Sequence, residues 1–205
     1  MSIATWKKLH KEHLARTKKS GVDVMFLGDS ITQGWGDEGA KVWKLRYEPL
    51  KAANYGIGGD TTREVLYRLD DGILDGIRPK AVVLLIGTNN FGLFGDSPAD
   101  VAKGVDAVVA SIRKKAPNAK VLLLGIFPRD KAADTPFRKK IAEANAAIAK
   151  LGDGKAVTYL DIGKTFLAAD GTLPADVMPD ALHLSEKGYG LWADAIEEKL
   201  KDLLK

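Results

Sequence analysis

Four short stretches of this chain combine residue types that could do chemistry. In Gly28-Asp29-Ser30-Ile31-Thr32-Gln33-Gly34, a serine follows a glycine by two residues and directly follows an aspartate. On a sharp strand-to-helix turn its hydroxyl would be exposed, and its backbone N–H, at a helix N-terminus, would face a developing anion. The same residues also fit a plain Asp/Ser helix cap. Asn54 to Thr62 carries Gly56, Gly58 and Gly59, so backbone N–H groups there could approach a ligand closely. The spacing is not the G-x-G-x-x-G of a dinucleotide loop, and a turn with one anion-facing N–H fits better. Gly87-Thr88-Asn89-Asn90 offers two adjacent side-chain amides, which either brace the loop or donate into a crevice. In Asp180-Ala181-Leu182-His183, a carboxylate three residues before a histidine can reach its Nδ1–H across a short turn. That contact would fix the tautomer and support the imidazolium; the alternative is a structural histidine beside a capping aspartate.

The chain has three histidines, so any imidazole mechanism must choose among His10, His13 and His183. His10 and His13 lie in a lysine-rich helical segment far from any strand end and read as solvated, which leaves His183 as the base. Cysteine is absent. That excludes disulfides, cysteine-ligated metals and thiol nucleophiles. Together the four stretches supply a nucleophile candidate, a base with its orienting acid, and anion-facing donors, which is every role of an acyl-transfer site once each.

These residues need elements to position them. Val22–Leu27, Ala81–Ile86, Lys120–Ile126 and Ala156–Leu160 are continuous apolar runs, as strands covered on both faces must be, and Ala52–Tyr55 is a weaker fifth. Between them run helix-period segments. Val101, Val105, Val108, Val109 and Ile112 form one stripe, and Leu191, Trp192, Ala195, Ile196 and Leu200 another. Val65, Leu66 and Leu69 mark a shorter helix, with Thr61 or Thr62 as its cap. Strand and helix alternate throughout, which predicts a flavodoxin-like three-layer α/β/α sandwich around a parallel sheet of about five strands. In such sheets the ligand crevice lies beyond the carboxyl ends of the strands, and each chemical stretch directly follows a strand or precedes the last helix.

The 205 residues suit one domain spanning 1–205, with residues 1–20 as an amphipathic N-terminal helix packed on the outside. Net charge is +4, and the lysines fall in scattered doublets, so no nucleic-acid partner is expected. No apolar run approaches the roughly 20 residues of a membrane span. The opening residues lack the apolar region of a signal peptide, so the chain as written reads as cytoplasmic. A signal removed earlier would make it secreted or periplasmic, and localisation stays open.

Gly28-Asp29-Ser30, Gly59, Gly87-Thr88-Asn89 and Asp180-x-x-His183 resemble the four blocks of the SGNH (GDSL-type) hydrolases from about Val22 to the final helix. The resemblance is sharpest with the catalytic subunits of type Ib platelet-activating-factor acetylhydrolase and their bacterial relatives. It is carried by Asn54 to Arg63, Arg68-Leu69, Pro79-Lys80, Gly87 to Asn90 and Pro128-Arg129. It implies Ser30 as nucleophile, His183 as base and Asp180 as orienting acid. It also implies an oxyanion hole from the Ser30 N–H, the Gly59 N–H and the Asn89 side chain, with no metal and no cofactor. Asn90 stands where the wider family usually has Asp, as in the acetylhydrolase branch. The animal enzymes dimerise, so a homodimer is a further expectation.

The expected function is a serine esterase that removes a short acyl group, acetyl above all, from an acetylated sugar or lipid-like ester. Ile31 and Leu182, each one residue from a reacting side chain, either pack into the core under their loops or close the acyl pocket at about the size of a methyl or ethyl group. The resemblance to the acetylhydrolase branch, which carries large aliphatics at the corresponding positions, implies the pocket wall. Two alternatives are a longer-chain lipase or thioesterase on the same site, and a non-catalytic dimerising scaffold with a vestigial one.

Overall fold

Among the described residues five strands form one parallel sheet in the order β2-β1-β3-β4-β5: β1 (Val24–Gly28), β2 (Ala52–Gly56), β3 (Ala81–Leu85), β4 (Lys120–Leu124) and β5 (Val157–Leu160). The computed structural model describes residues 1–19 and 21–205. Gly28 is level with Gly56 on one side and Leu85 on the other, so the first three strands end flush. Chain order reverses at β1, which has β2 and β3 as its neighbours, and that is where a doubly wound sheet opens its crevice.

Among the described residues eight α-helices flank the sheet: α1 (Ile3–Lys18), α2 (Ser30–Gln33), α3 (Ala40–Arg46), α4 (Thr62–Asp70), α5 (Thr88–Phe94), α6 (Pro98–Lys115), α7 (Pro136–Ile148) and α8 (Glu186–Leu203). Because successive side chains alternate across a strand, the sheet divides the core in two. Met25, Leu27, Val82, Leu84, Val121 and Leu123 pack with the valine stripe of α6 and with Val65 and Leu69 of α4. Val24, Phe26, Val83, Leu85, Leu122 and Leu124 pack with Trp192, Ile196 and Leu200 of α8 and with Trp35. The expected three-layer α/β/α sandwich is therefore present, including the weak strand at Ala52.

Local chemistry sets the helix starts. Ser97 accepts from the Asp100 N–H with Pro98 in the first turn, Thr135 accepts from the Arg138 N–H in the same way for α7, and Thr61 with Glu64 closes a full capping box on α4. No helix among the described residues is long and apolar enough to cross a membrane.

The N-terminal segment departs from the expectation. The helix runs Ile3–Lys18, and Ser20, the last residue assigned to that segment, lies outside the described residues. His10 and His13 are not solvated: they are 5% and 6% exposed and, with Thr17, form the buried stripe of α1. Polar partners from other elements make this burial tolerable. His10 Nε2 meets Asp71 at 2.8 Å, His13 Nδ1 meets Arg68 at 2.8 Å, and Thr17 Oγ1 bonds the Tyr55 hydroxyl and donates to the Ile73 carbonyl.

Candidate active site

Ser30 is the first residue of α2, directly beyond β1. Asp29 caps this short helix, its Oδ1 accepting the Ile31 N–H at 3.0 Å. The cap and the serine are thus separate residues of one turn: Asp29 makes the cap, and Ser30 beside it is half-buried. Glycine is required at position 28, because a Cβ would collide with the Leu85 carbonyl oxygen and Thr32 Oγ1. The Ser30 N–H has no backbone partner among the described residues, as expected at a helix start.

His183 reaches this serine from the other end of the chain. Its Nε2 lies 2.9 Å from Ser30 Oγ, and its Nδ1 lies 2.6 Å from Asp180 Oδ2. The second oxygen of Asp180 accepts the backbone N–H groups of Leu182 (3.0 Å) and His183 (2.7 Å), so one carboxylate folds the turn and holds the ring. Burial pushes the Asp180 carboxyl up, but the bonds from the His183 ring and from these two backbone N–H groups outweigh it and hold the group below its ordinary value. Ala181, inside the turn, sits at φ +57°, a left-handed conformation uncommon for a residue with a Cβ. Its N–H donates to Met178 and its carbonyl accepts from Asp130, which pins it there. Ser185 caps α8 two residues after His183, and Tyr189 of that helix donates its hydroxyl to the Ile31 carbonyl at 2.7 Å. One helix start thereby braces both halves of the pair.

The loop after β2 turns at Gly59, whose φ of +84° favours glycine. The Gly58 N–H donates to Gln33 Oε1 at 2.6 Å, and the Asp60 N–H donates to the Ile57 carbonyl. The Gly59 N–H has no partner among the described residues and lies on an exposed residue. Of the two adjacent amides after β3, the structure separates the roles. Asn90 is 1% exposed and its side chain is used up by Thr62 and Asp96. Asn89 is half-buried and spends one amide N–H on the Asp60 carbonyl at 3.0 Å, leaving the other free to donate. Ser30, Gly59 and Asn89 thus stand on three neighbouring strand ends around the switch point, with unused donors on each.

Ile31 and Leu182 differ in what they offer. Ile31 is 2% exposed and packs in the core layer beneath α8, so its side chain presents little surface to a ligand. Leu182 is half-buried and packs against the same layer while keeping exposed surface. A groove of about 800 Å³ opens beside Gly58 and Gly59, walled by Ile3, Trp6, Tyr67, Leu93 and Phe94. Of the six large apolar side chains exposed among the described residues, five line this groove, which sets it apart from scattered surface residues. Among the described residues no three His, Asp or Glu side chains converge as a metal site would require.

Three features near the site escape a motif search. Asp29 is 1% exposed, its Oδ2 has no partner, and burial pushes its carboxyl up to about 7. Asp60 and Arg68 form a fully buried ion pair at 2.6 Å. The third is the groove itself, whose walls come from α1, α4 and α5. Asp60 and Arg68 lie in stretches that carry the family resemblance, but their burial and pairing show only in the fold. So does the partnered polar stripe His10, His13 and Thr17 at helical spacing, which apolar periodicity does not register.

An arrangement of hydroxyl, imidazole and carboxylate in line, beside free N–H donors, can activate an oxygen nucleophile and hold an oxyanion. Similarity to known proteins points the same way. Residues 26–191 match the model of the GDSL-like lipase/acylhydrolase family. The chain is 36% identical over 203 residues to the platelet-activating factor acetylhydrolase IB subunit alpha2 of Rattus norvegicus, covering 97% of this chain and 85% of that protein. A GDSL-like lipase from Bacteroides thetaiotaomicron superposes with a TM-score of 0.75 at 20% identity over 98% of this chain and 99% of its own. An acetyl xylan esterase superposes at 0.71 with 26% identity, over 86% of this chain and 98% of its own. With family blocks, strand-end loops and sheet order all in agreement, this chain belongs to the GDSL-like lipase/acylhydrolase family and is a carboxylic ester hydrolase.

Proposed function

We propose that this hydrolase removes short acyl groups, acetyl above all, by way of a Ser30–His183–Asp180 triad. The observation that carries the reading is the continuous pair of contacts, 2.9 Å from Ser30 Oγ to His183 Nε2 and 2.6 Å from His183 Nδ1 to Asp180. In the first step Ser30 Oγ attacks the ester carbonyl carbon while its proton passes to His183 Nε2, and the carbonyl π pair moves onto oxygen. The N–H groups of Ser30 and Gly59 and the Asn89 amide hold that oxyanion; losing one such donor typically costs about 2.7–4 kcal/mol of barrier. The tetrahedral species collapses with loss of the alkoxide, which takes the proton from His183. Water then repeats the sequence on the acyl-serine, and acetate leaves with Ser30 restored.

Acetyl is supported by the names of two relatives, an acetylhydrolase and an acetyl xylan esterase. The acyl wall rests on Leu182, since Ile31 lies in the core. The apolar groove beside Gly59 supports a lipid-like or aryl alcohol over a bare sugar as the other half of the ester. The test is turnover of p-nitrophenyl acetate, butyrate and octanoate by wild type and Ser30→Ala. Turnover should fall steeply from acetate to octanoate in wild type and vanish in the variant. Equal rates in both proteins would exclude the triad, and a preference for octanoate would favour the longer-chain lipase.

A further inference from the structure

Directly after Gly59 the chain buries a charge. Asp60 and Arg68 are both fully buried, with Asp60 Oδ2 at 2.6 Å from Arg68 Nη1. The other carboxylate oxygen accepts the indole N–H of Trp6 at 2.6 Å. Arg68 Nη2 donates to the Tyr55 carbonyl at 2.7 Å and to His13 Nδ1 at 2.8 Å. Burial first, and then the neighbouring Arg68, push the His13 imidazole down to about 2, so the ring is neutral and its Nδ1 can accept. Burial likewise pushes the Asp60 carboxyl up, with the Arg68 guanidinium and the Trp6 N–H pulling it back. The backbone carbonyl of this same Asp60 receives the Asn89 side-chain amide at 3.0 Å. A buried ion pair is a poor device for stability, because well-packed apolar residues of similar size often serve as well or better. Its location, between two of the three donors assigned to the oxyanion, suggests a different use.

We infer that the Asp60–Arg68 pair, tied to α1 through Trp6 and His13, is the positioning device of the oxyanion hole. Asp60, Arg68 and His13 need not touch substrate, whereas Trp6 both walls the groove and donates to Asp60. The amide group of Asn89 is planar, so with one N–H fixed on the Asp60 carbonyl the direction of the other is set by where that carbonyl lies. The Gly59 N–H lies in the peptide bond with Gly58, one Cα from the peptide shared with Asp60. With the Gly58 N–H held by Gln33 on one side and Asp60 anchored on the other, the freedom of Gly59 at φ +84° is restricted from both ends. Holding Asp60 by two strong bonds to its side chain therefore fixes both donors at once. Helix α1 supplies one of those bonds directly and, through His13, a brace on the guanidinium that makes the other. A misplacement of about 1 Å at a reacting centre can cost about 10²-fold in rate, so modest loosening of this network should be readable.

The inference rests on the esterase reading, and its test separates the two. Trp6→Phe removes the N–H donor while keeping a ring to pack against His10 and Tyr67. His13→Leu removes the acceptor for Arg68, and His13→Asn restores an acceptor near the position of Nδ1. His13→Leu should lower kcat for p-nitrophenyl acetate about tenfold with KM nearly unchanged, in line with partial loss of donor alignment. Trp6→Phe, whose ring also walls the groove, should lower kcat by the same factor whatever its effect on KM. Both should weaken binding of a boronic acid transition-state analogue by the same factor, and His13→Asn should recover most of the loss. The backbone order parameter of Gly59, measured by NMR relaxation without substrate, should fall in the same two variants. A lowered Tm with wild-type kcat, analogue affinity and Gly59 order would show a purely structural network and overturn the inference. If the wild type itself shows no Ser30-dependent turnover, the esterase reading falls; an unchanged Gly59 order parameter would still overturn the positioning role by itself.

Discussion

At Asp29 a carboxyl group sits one residue before the nucleophile, 1% exposed, with one oxygen on the Ile31 N–H and the other without a partner. Burial raises it from 3.8 to about 7. The folded chain therefore holds this proton where the unfolded chain has released it. The contribution of Asp29 to stability therefore falls as pH rises from the ordinary carboxylate value to about 7, by about 1.4 kcal/mol for each pH unit crossed. Asp29→Asn keeps an oxygen for Ile31 and removes the charge. Its stability advantage over wild type should grow between about pH 4 and about pH 7 and then level off, as urea denaturation across that range would show. An advantage independent of pH would mean that Asp29 titrates normally. At Asp180 the sign is opposite: the carboxyl is held below its ordinary value, so it stays ionised wherever esters are assayed. An acid limb of kcat/KM in that range therefore does not come from Asp180. Asp180→Asn should lower kcat by roughly 10²–10⁴ without unfolding the chain; retention of most activity would remove Asp180 from the triad.

The turn that carries Asp180 and His183 is the element on which the chemistry most depends, and its conformation is set at Ala181. A β-branched side chain at φ +57° is far less tolerable than alanine, whereas glycine is comfortable there but gains freedom in the unfolded chain. Ala181→Gly should accordingly change stability by no more than about 1 kcal/mol and keep activity, because the Asp180 carboxylate still gathers the Leu182 and His183 N–H groups. Ala181→Val should open the turn and lower kcat at least tenfold while leaving the far-UV circular dichroism of the helices intact. Similar activity in both variants would show that the carboxylate alone holds the turn. The same logic explains why α2 needs only four residues: Asp29, Tyr189 and the Gly28 contact hold it from three sides.

Across the whole molecule, both core layers share one sheet, with Met25 and Leu27 facing one way and Val24 and Phe26 the other. Neither layer can lose its packing without exposing the strands of the other, so we expect one cooperative unfolding transition. Trp35, Trp43 and Trp192 lie in one layer only, and Trp6 lies on α1. Tryptophan fluorescence and far-UV circular dichroism should therefore give coincident melting curves in a Trp6→Phe background. Separate transitions would mark the two layers as independent units.

The sequence by itself determined which residues could act and where the strands lie. Buried parallel strands read as unbroken apolar runs, and the serine, glycine and amide stretches sit at their ends, with the aspartate–histidine stretch just before the last helix. Those signals are local, each contained within about ten residues, and local signals survive in a linear text. What only the tertiary structure decided is everything that needs two distant segments to meet. Asn89 and Asn90 are equivalent as letters; one keeps a free N–H beside Asp60, while the other is consumed by Thr62 and Asp96. Ile31 reads as pocket wall or core in the sequence, and in the structure it is 2% exposed within the core layer that also holds the apolar face of α8. His13 reads as solvated because its own helix is rich in lysine. Its burial depends on Arg68, 55 positions away, which supplies the hydrogen bond that makes a buried imidazole tolerable. Apolar periodicity records what a segment hides from water, whereas polar burial depends on a partner that no single segment contains.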